Sequence, residues 1–169
     1  MECFPFKDHG DAARQLADKL CAHRGENPMV LAFPGESWAM GKALAQALEG
    51  ELESALAVRI SGAEGKGARW AHRECAALYG ADIPPYRVKG RTVILMAEDT
   101  STGSTFSAIA RELRRQGAAR VIAASAVGFL DSVERLRREM DETIVLLESE
   151  EFKPAAVFFS DSVAVGQEP

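Results

Sequence analysis

The sequence has little of what marks the more specialised protein classes. It has no basic excess: 20 Lys and Arg stand against 25 Asp and Glu, a net charge of −5. Nucleic-acid-binding domains normally gather a surplus of Lys and Arg on one face, so nucleic acid is not an expected partner. Arg111, Arg114, Arg115 and Arg120 lie close together, and on a helix such a run reads as a solvated face. Long apolar stretches are missing too. Residues 1–10 have no signal-peptide core, and nothing approaches the length that spans a membrane. Cysteine is scarce: Cys3, Cys21 and Cys75 are odd in number, widely spaced and in no metal-ligand pattern. They read as free thiols in a reducing compartment, so a cytoplasmic location is expected. His9, His23 and His72 are equally scattered, and no zinc site is expected. No internal repeat or low-complexity linker interrupts the 169 residues, the size of one domain.

What is present alternates. Ala13, Leu16, Ala17 and Leu20 form one face of a helix capped by Asp11 or Gly10 and ended by Gly25. Residues 29–33 are a short apolar run of strand length, broken by Pro34-Gly35. Ser37 then opens a helix with Met40, Leu44, Ala47 and Leu48 inward, closed by Gly50. Residues 55–60 read as a strand. Between 62 and 90 the pattern weakens into a loop or hood with helical character over 69–79. Residues 92–97 form a buried strand, and Phe106, Ile109, Ala110 and Leu113 mark a helix stopping at Gly117. A strand over 121–127 follows. Asp131 with Glu134 resembles a capping box for a helix through Met140, and 143–147 close the series as a strand. Apolar strands separated by amphipathic helices predict a single three-layer α/β domain, a mostly parallel sheet with helices on both faces. Such sheets bind ligands at the carboxyl ends of their strands, which selects the loops 34–37, 61–69 and 98–105.

The last of these carries the chemistry. Glu98 and Asp99 stand at the tip of a strand, followed by Thr100, Ser101, Thr102, Gly103, Ser104 and Thr105 at a helix start. Free N–H groups and the positive end of the helix dipole favour a phosphate there. Acids repel a phosphate, so sugar hydroxyls or a metal ion beside it explain them better. A ribose 5-phosphate satisfies both halves. In the competing reading, Ser and Thr only cap the helix and the acids solvate a turn.

The segment 93–105 resembles the type I phosphoribosyltransferases, whose signature is an apolar strand, two acids, a spacer and a Thr-Gly-x-Thr turn into a helix. The likeness continues through Gly117-Ala-Ala-Arg-Val-Ile. Phe6-Lys-Asp8, Val30-Leu-Ala-Phe-Pro-Gly35 and Ala57-Val-Arg59 resemble a bacterial branch of that superfamily with unassigned substrates, and in all about residues 4–148 are covered. The resemblance implies transfer from 5-phosphoribosyl 1-diphosphate (PRPP) to a nucleobase or similar small acceptor, with Mg²⁺ neutralising the diphosphate. Ser101, Thr102, Gly103, Ser104 and Thr105 would hold the 5-phosphate. Glu98 and Asp99 would hold the ribose hydroxyls as the catalytic acids. Gly35, Glu36, Ser37, Arg59, Lys66 and Arg69 fall on the diphosphate side. A homodimer is the expected assembly.

The chain departs from that pattern in two places. Family members usually place three residues between the second acid and Thr-Gly, and here Thr100 and Ser101 are two. Aligned without a gap, the acidic positions become Ala97 and Glu98, so Glu98 belongs to the pair on either alignment. The bacterial branch often shows Pro-Arg-Gly-Gly after the first strand, whereas this chain has Pro34-Gly35-Glu36-Ser37. Ser37 reads first as the N-cap of its helix. Lys66, Arg69 and Arg73 are as readily plain surface as a lid over the diphosphate, whereas Trp70 and Tyr79 could stack on a base but at helical spacing read first as core. A non-catalytic binder of PRPP or a nucleotide is therefore the alternative function.

Overall fold

The computed structural model describes residues 5–55, 85–100 and 103–161. Its centre is a five-stranded parallel sheet of β1 (Met29–Ala32), β2 (Glu51–Ser54), β3 (Thr92–Asp99), β4 (Arg120–Phe129) and β5 (Glu142–Ser149) in the order β2-β1-β3-β4-β5. Successive strand residues point to opposite faces, and the two cores follow that alternation. Val30, Ile94, Met96 and Ile122 pack with α1 (His9–Lys19) and α2 (Glu36–Ala47). Leu31, Val93, Leu95 and Val121 face the other way, onto α3 (Ser104–Arg115) and Leu136 of α4 (Leu130–Glu139). The three-layer arrangement expected from the sequence is thus the one adopted. No helix among the described residues is long and apolar enough to cross a membrane.

Several local expectations are corrected. The first helix is capped by Asp8, whose carboxylate accepts from the Asp11 N–H at 2.7 Å, so Gly10 and Asp11 lie inside it. Asp11 instead accepts from the Lys7 N–H, which holds its carboxyl below the usual carboxylate range. Residue 36 already belongs to α2, with Gly35 as N-cap at φ +88°, so Ser37 is in the first turn and caps nothing. The inward face of α2 uses Ala45, and Ala47 is exposed.

A strand that the sequence reading did not mark runs over Glu51–Ser54; of the strand expected over 55–60 only residue 55 is described, outside any strand, and 56–60 lie outside the described part. Among the described strands β2 lies at the sheet edge and pairs with β1 alone, so it needs no apolar run, and its Glu51 and Glu53 are clamped by Arg87. The guanidinium of Arg87 keeps the Glu51 carboxyl below its ordinary value. The expected capping box at Asp131 does not form, because Phe129 is the N-cap and Asp131 sits in the first turn. The hood expected over 62–90 falls almost wholly outside the described residues.

Helix α2 lies so close to β1 that a Cβ on Gly41 would stand 2.5 Å from the Cβ of Ala32, which cannot move aside. Alanine is the better helix former by about 1 kcal/mol, but overpacking costs about 1–3 kcal/mol. Gly41→Ala is therefore expected to lower stability on balance, by about 1 kcal/mol in urea unfolding. A stabilised variant would show that the helix is free to back away.

Candidate functional site

The strand order reverses direction between β1 and β3, since β2 lies beyond β1 while β4 and β5 continue beyond β3. At such a switch point the loops leaving the two strands diverge and open a crevice at their carboxyl ends. A cleft of about 250 Å³ lies there, bordered by Phe33, Ser37, Glu98, Asp99, Thr100, Gly103 and Thr105.

One wall of it is the start of α3. Gly103 is the N-cap, in the left-handed region at φ 73°, ψ −8°. Its N–H donates to the Thr100 carbonyl at 2.7 Å, and its own carbonyl accepts from the N–H and hydroxyl of Ser107. A glycine cap offers no side-chain oxygen, so the reading in which Ser or Thr caps this helix does not hold at its N-cap. The positive end of the dipole is turned toward the cleft that Gly103 and Thr105 border.

Thr100, the residue just after β3, is only 3% exposed and ties this turn to the next unit. Its N–H donates to the Val127 carbonyl at 3.1 Å. The hydroxyl accepts from the Phe129 N–H at 3.3 Å and is bonded to the Ser132 hydroxyl, which donates to the Phe129 carbonyl. Replacing it by an isosteric methyl leaves the Phe129 N–H without its side-chain acceptor. Thr100→Val is expected to cost about 1–3 kcal/mol in denaturant unfolding, with Thr100→Ser recovering most of it. Equal losses in both variants would assign the effect to packing.

The opposite wall is acidic. Glu98 and Asp99 are the last residues of β3 and leave the strand toward opposite layers. Glu98 projects on the α1–α2 side, where two elements hold it. The Ser37 hydroxyl accepts from its backbone N–H at 2.8 Å, and Oε1 of its carboxylate lies 2.7 Å from Nε2 of His9. A carboxylate only accepts, so Nε2 is the nitrogen that carries the proton. The His9 ring is stacked on Phe159, with centroids 4.2 Å apart and planes 15° from parallel. Its other nitrogen is 3.9 Å from Oε2 of Glu36, a side chain that is 69% exposed.

The cleft thus unites Ser37, Glu98, Asp99, Gly103 and Thr105. Gly35, Glu36 and Ser104 lie beside it without bordering it, while Arg59, Lys66, Arg69, Ser101 and Thr102 lie outside the described residues, as do Trp70, Arg73 and Tyr79. His9, Thr100, Ser132 and Phe159 have no signature in the sequence. In the sequence Thr100 counts only as a spacer between the acids and Thr-Gly.

Solved structures share this architecture. TT1426 from Thermus thermophilus superposes with a TM-score of 0.64 at 23% identity, over 91% of this chain and 89% of that one. Purine phosphoribosyltransferase from Pyrococcus horikoshii gives 0.53 at 13% identity, over 85% of both chains. Hypoxanthine phosphoribosyltransferase from Staphylococcus aureus gives 0.52 at 11%, over 86% of this chain and 76% of that one. No protein-family model matches the chain, nor does any curated protein. At these identities the likeness is one of architecture alone, a parallel α/β sheet between helices that this chain shares with the two phosphoribosyltransferases.

Proposed function

We propose that this protein binds PRPP and transfers its phosphoribosyl group to a nucleobase or similar small acceptor, releasing diphosphate. The observation that carries this reading is the meeting, in one cleft, of two strand-tip carboxylates and a glycine-led helix N-terminus. The helix end suits the 5-phosphate. Glu98 and Asp99 suit the ribose hydroxyls, as acceptors that no neutral group matches. A nitrogen of the acceptor forms a bond to the anomeric carbon as the bond to the diphosphate oxygen breaks, and the nitrogen gives up its proton. Catalysis of this kind is chiefly positioning and charge neutralisation.

Among the described residues no three metal-ligating side chains converge, so a resident ion has no preformed cage there. Mg²⁺ is proposed to arrive as part of the substrate, held by diphosphate oxygens and water, as that ion prefers.

One observation favours a second reading, a binder that does not catalyse. The described lining of the cleft carries two carboxylates and no cation, and Glu36 stands nearby. A leaving diphosphate would rely on Arg59, Lys66 or Arg69, which lie outside the described residues. Calorimetric titration with Mg²⁺–PRPP, followed by diphosphate-release assays over a panel of purine and pyrimidine bases, separates the two. Binding with release supports the transferase, and tight binding without release across the panel sinks it in favour of the binder. No binding at all removes both.

A further inference from the structure

The proposed site explains Glu98 but leaves His9 without a role, although its imidazole is bonded to the very carboxylate assigned to the ribose. We propose that His9 is a positioning residue of the ligand site, setting the Glu98 carboxylate for the ribose hydroxyls. This rests on the ribose 5-phosphate reading of the cleft.

A glutamate at a strand tip has considerable freedom. Ser37 fixes the Glu98 backbone, but three side-chain torsions remain between that backbone and the carboxylate. A single donor on one oxygen removes most of this freedom, and His9 Nε2 on Oε1 supplies it. Oε1 is then engaged and Oε2 keeps its acceptor capacity for a ligand hydroxyl. A charge-assisted bond of this length is among the stronger kinds in proteins.

His9 is itself held from two sides. It is the first residue of α1, so its backbone is fixed by the Asp8 cap. Its ring lies flat on Phe159, which is fully buried. Phe159 is placed by the segment that bridges back to Phe6, with the Phe6 N–H donating to the Phe158 carbonyl and the Ser160 N–H to the Phe6 carbonyl. The imidazole therefore has a defined plane, and Nε2 points at Glu98 rather than into solvent. A histidine held only for packing has no need of a carboxylate at hydrogen-bond distance in a ligand cleft. Glu98 and His9 are both about one-fifth exposed, so the pair is open enough for a ligand to reach.

The test uses the full chain and two probes. Ribose 5-phosphate needs both the helix end and the carboxylates, whereas inorganic phosphate needs the helix end alone. His9→Leu is expected to weaken ribose 5-phosphate about tenfold, the loss of one hydrogen bond to a charged group, and to leave phosphate affinity unchanged. His9→Gln, whose amide can place an N–H near the position of Nε2, is expected to recover most of the loss. In a Glu98→Gln background, His9→Leu should have little further effect. Unchanged ribose 5-phosphate affinity in His9→Leu overturns the proposal, as does a parallel loss for both probes, which would mark damage to the fold. A wild-type protein that binds phosphate but ribose 5-phosphate no tighter removes the ligand reading itself, and the role of His9 with it.

Discussion

Gly103→Val is expected to abolish phosphate binding. Gly103 sits at φ 73° as the cap of α3, a conformation that a β-branched residue adopts only under strain. For the Cβ itself, space is not the obstacle. A Cβ there would meet the Ser132 Cβ and carbonyl at 3.4 Å and Leu136 at 3.5 Å, ordinary contacts. The backbone angle itself is what calls for glycine at this position. Holding valine in the left-handed region costs about 1–3 kcal/mol. The turn can relieve that by swinging out of the region, which breaks the Gly103-to-Thr100 bond and re-aims the first N–H groups of α3. Titration with inorganic phosphate should then show no measurable heat, while Gly103→Asn, a residue that visits this region more readily, should retain part of the affinity. Valine binding as well as glycine would show that the phosphate sits elsewhere.

Glu98→Ala should remove most of the affinity for the sugar and none for phosphate alone. The substitution deletes the acceptor proposed for the ribose hydroxyls and the partner of His9 together. Hydrogen bonds to a charged group are worth about 1.5–3 kcal/mol, so ribose 5-phosphate and PRPP should bind about ten- to a hundredfold more weakly. Competition against inorganic phosphate, in wild type and variant, reads the two halves of the site separately. If sugar affinity survives, Asp99 carries the hydroxyls. That outcome would also decide the spacing question, since Glu98 is the member of the pair common to both alignments.

The parts legible in the sequence are those where one physical signal dominates. Strands β1, β3 and β4 are buried on both faces, so their apolar runs are continuous and their positions are readable. The turn at Gly103 was readable for a similar reason: a glycine amid hydroxyls between strand and helix has few other uses. β2 went unread because a strand with Glu51 and Glu53 looks like a loop until Arg87 arrives from thirty-odd residues away. Ser37 was misassigned because a serine next to a helix start reads as a cap, and only the third dimension brings its hydroxyl to the N–H of Glu98. His9 and Phe159 were beyond reach for the same reason in stronger form. A stacking contact between opposite ends of the described chain leaves no periodic trace.

The neighbouring placement of β1 and β3 has a kinetic consequence. Residues 33 to 91 separate them along the chain, yet the Phe33 N–H donates to the Met96 carbonyl between the two strands. Contacts between such distant segments carry a large loop-closure cost before they return any stabilisation, and they tend to form late. The crevice has no floor until β3 docks, so a ligand finds nothing to grip in the partly folded chain. What it meets is the finished sheet, and its binding energy falls on the native side of the barrier. Saturating ligand should therefore slow unfolding and leave the refolding rate almost untouched.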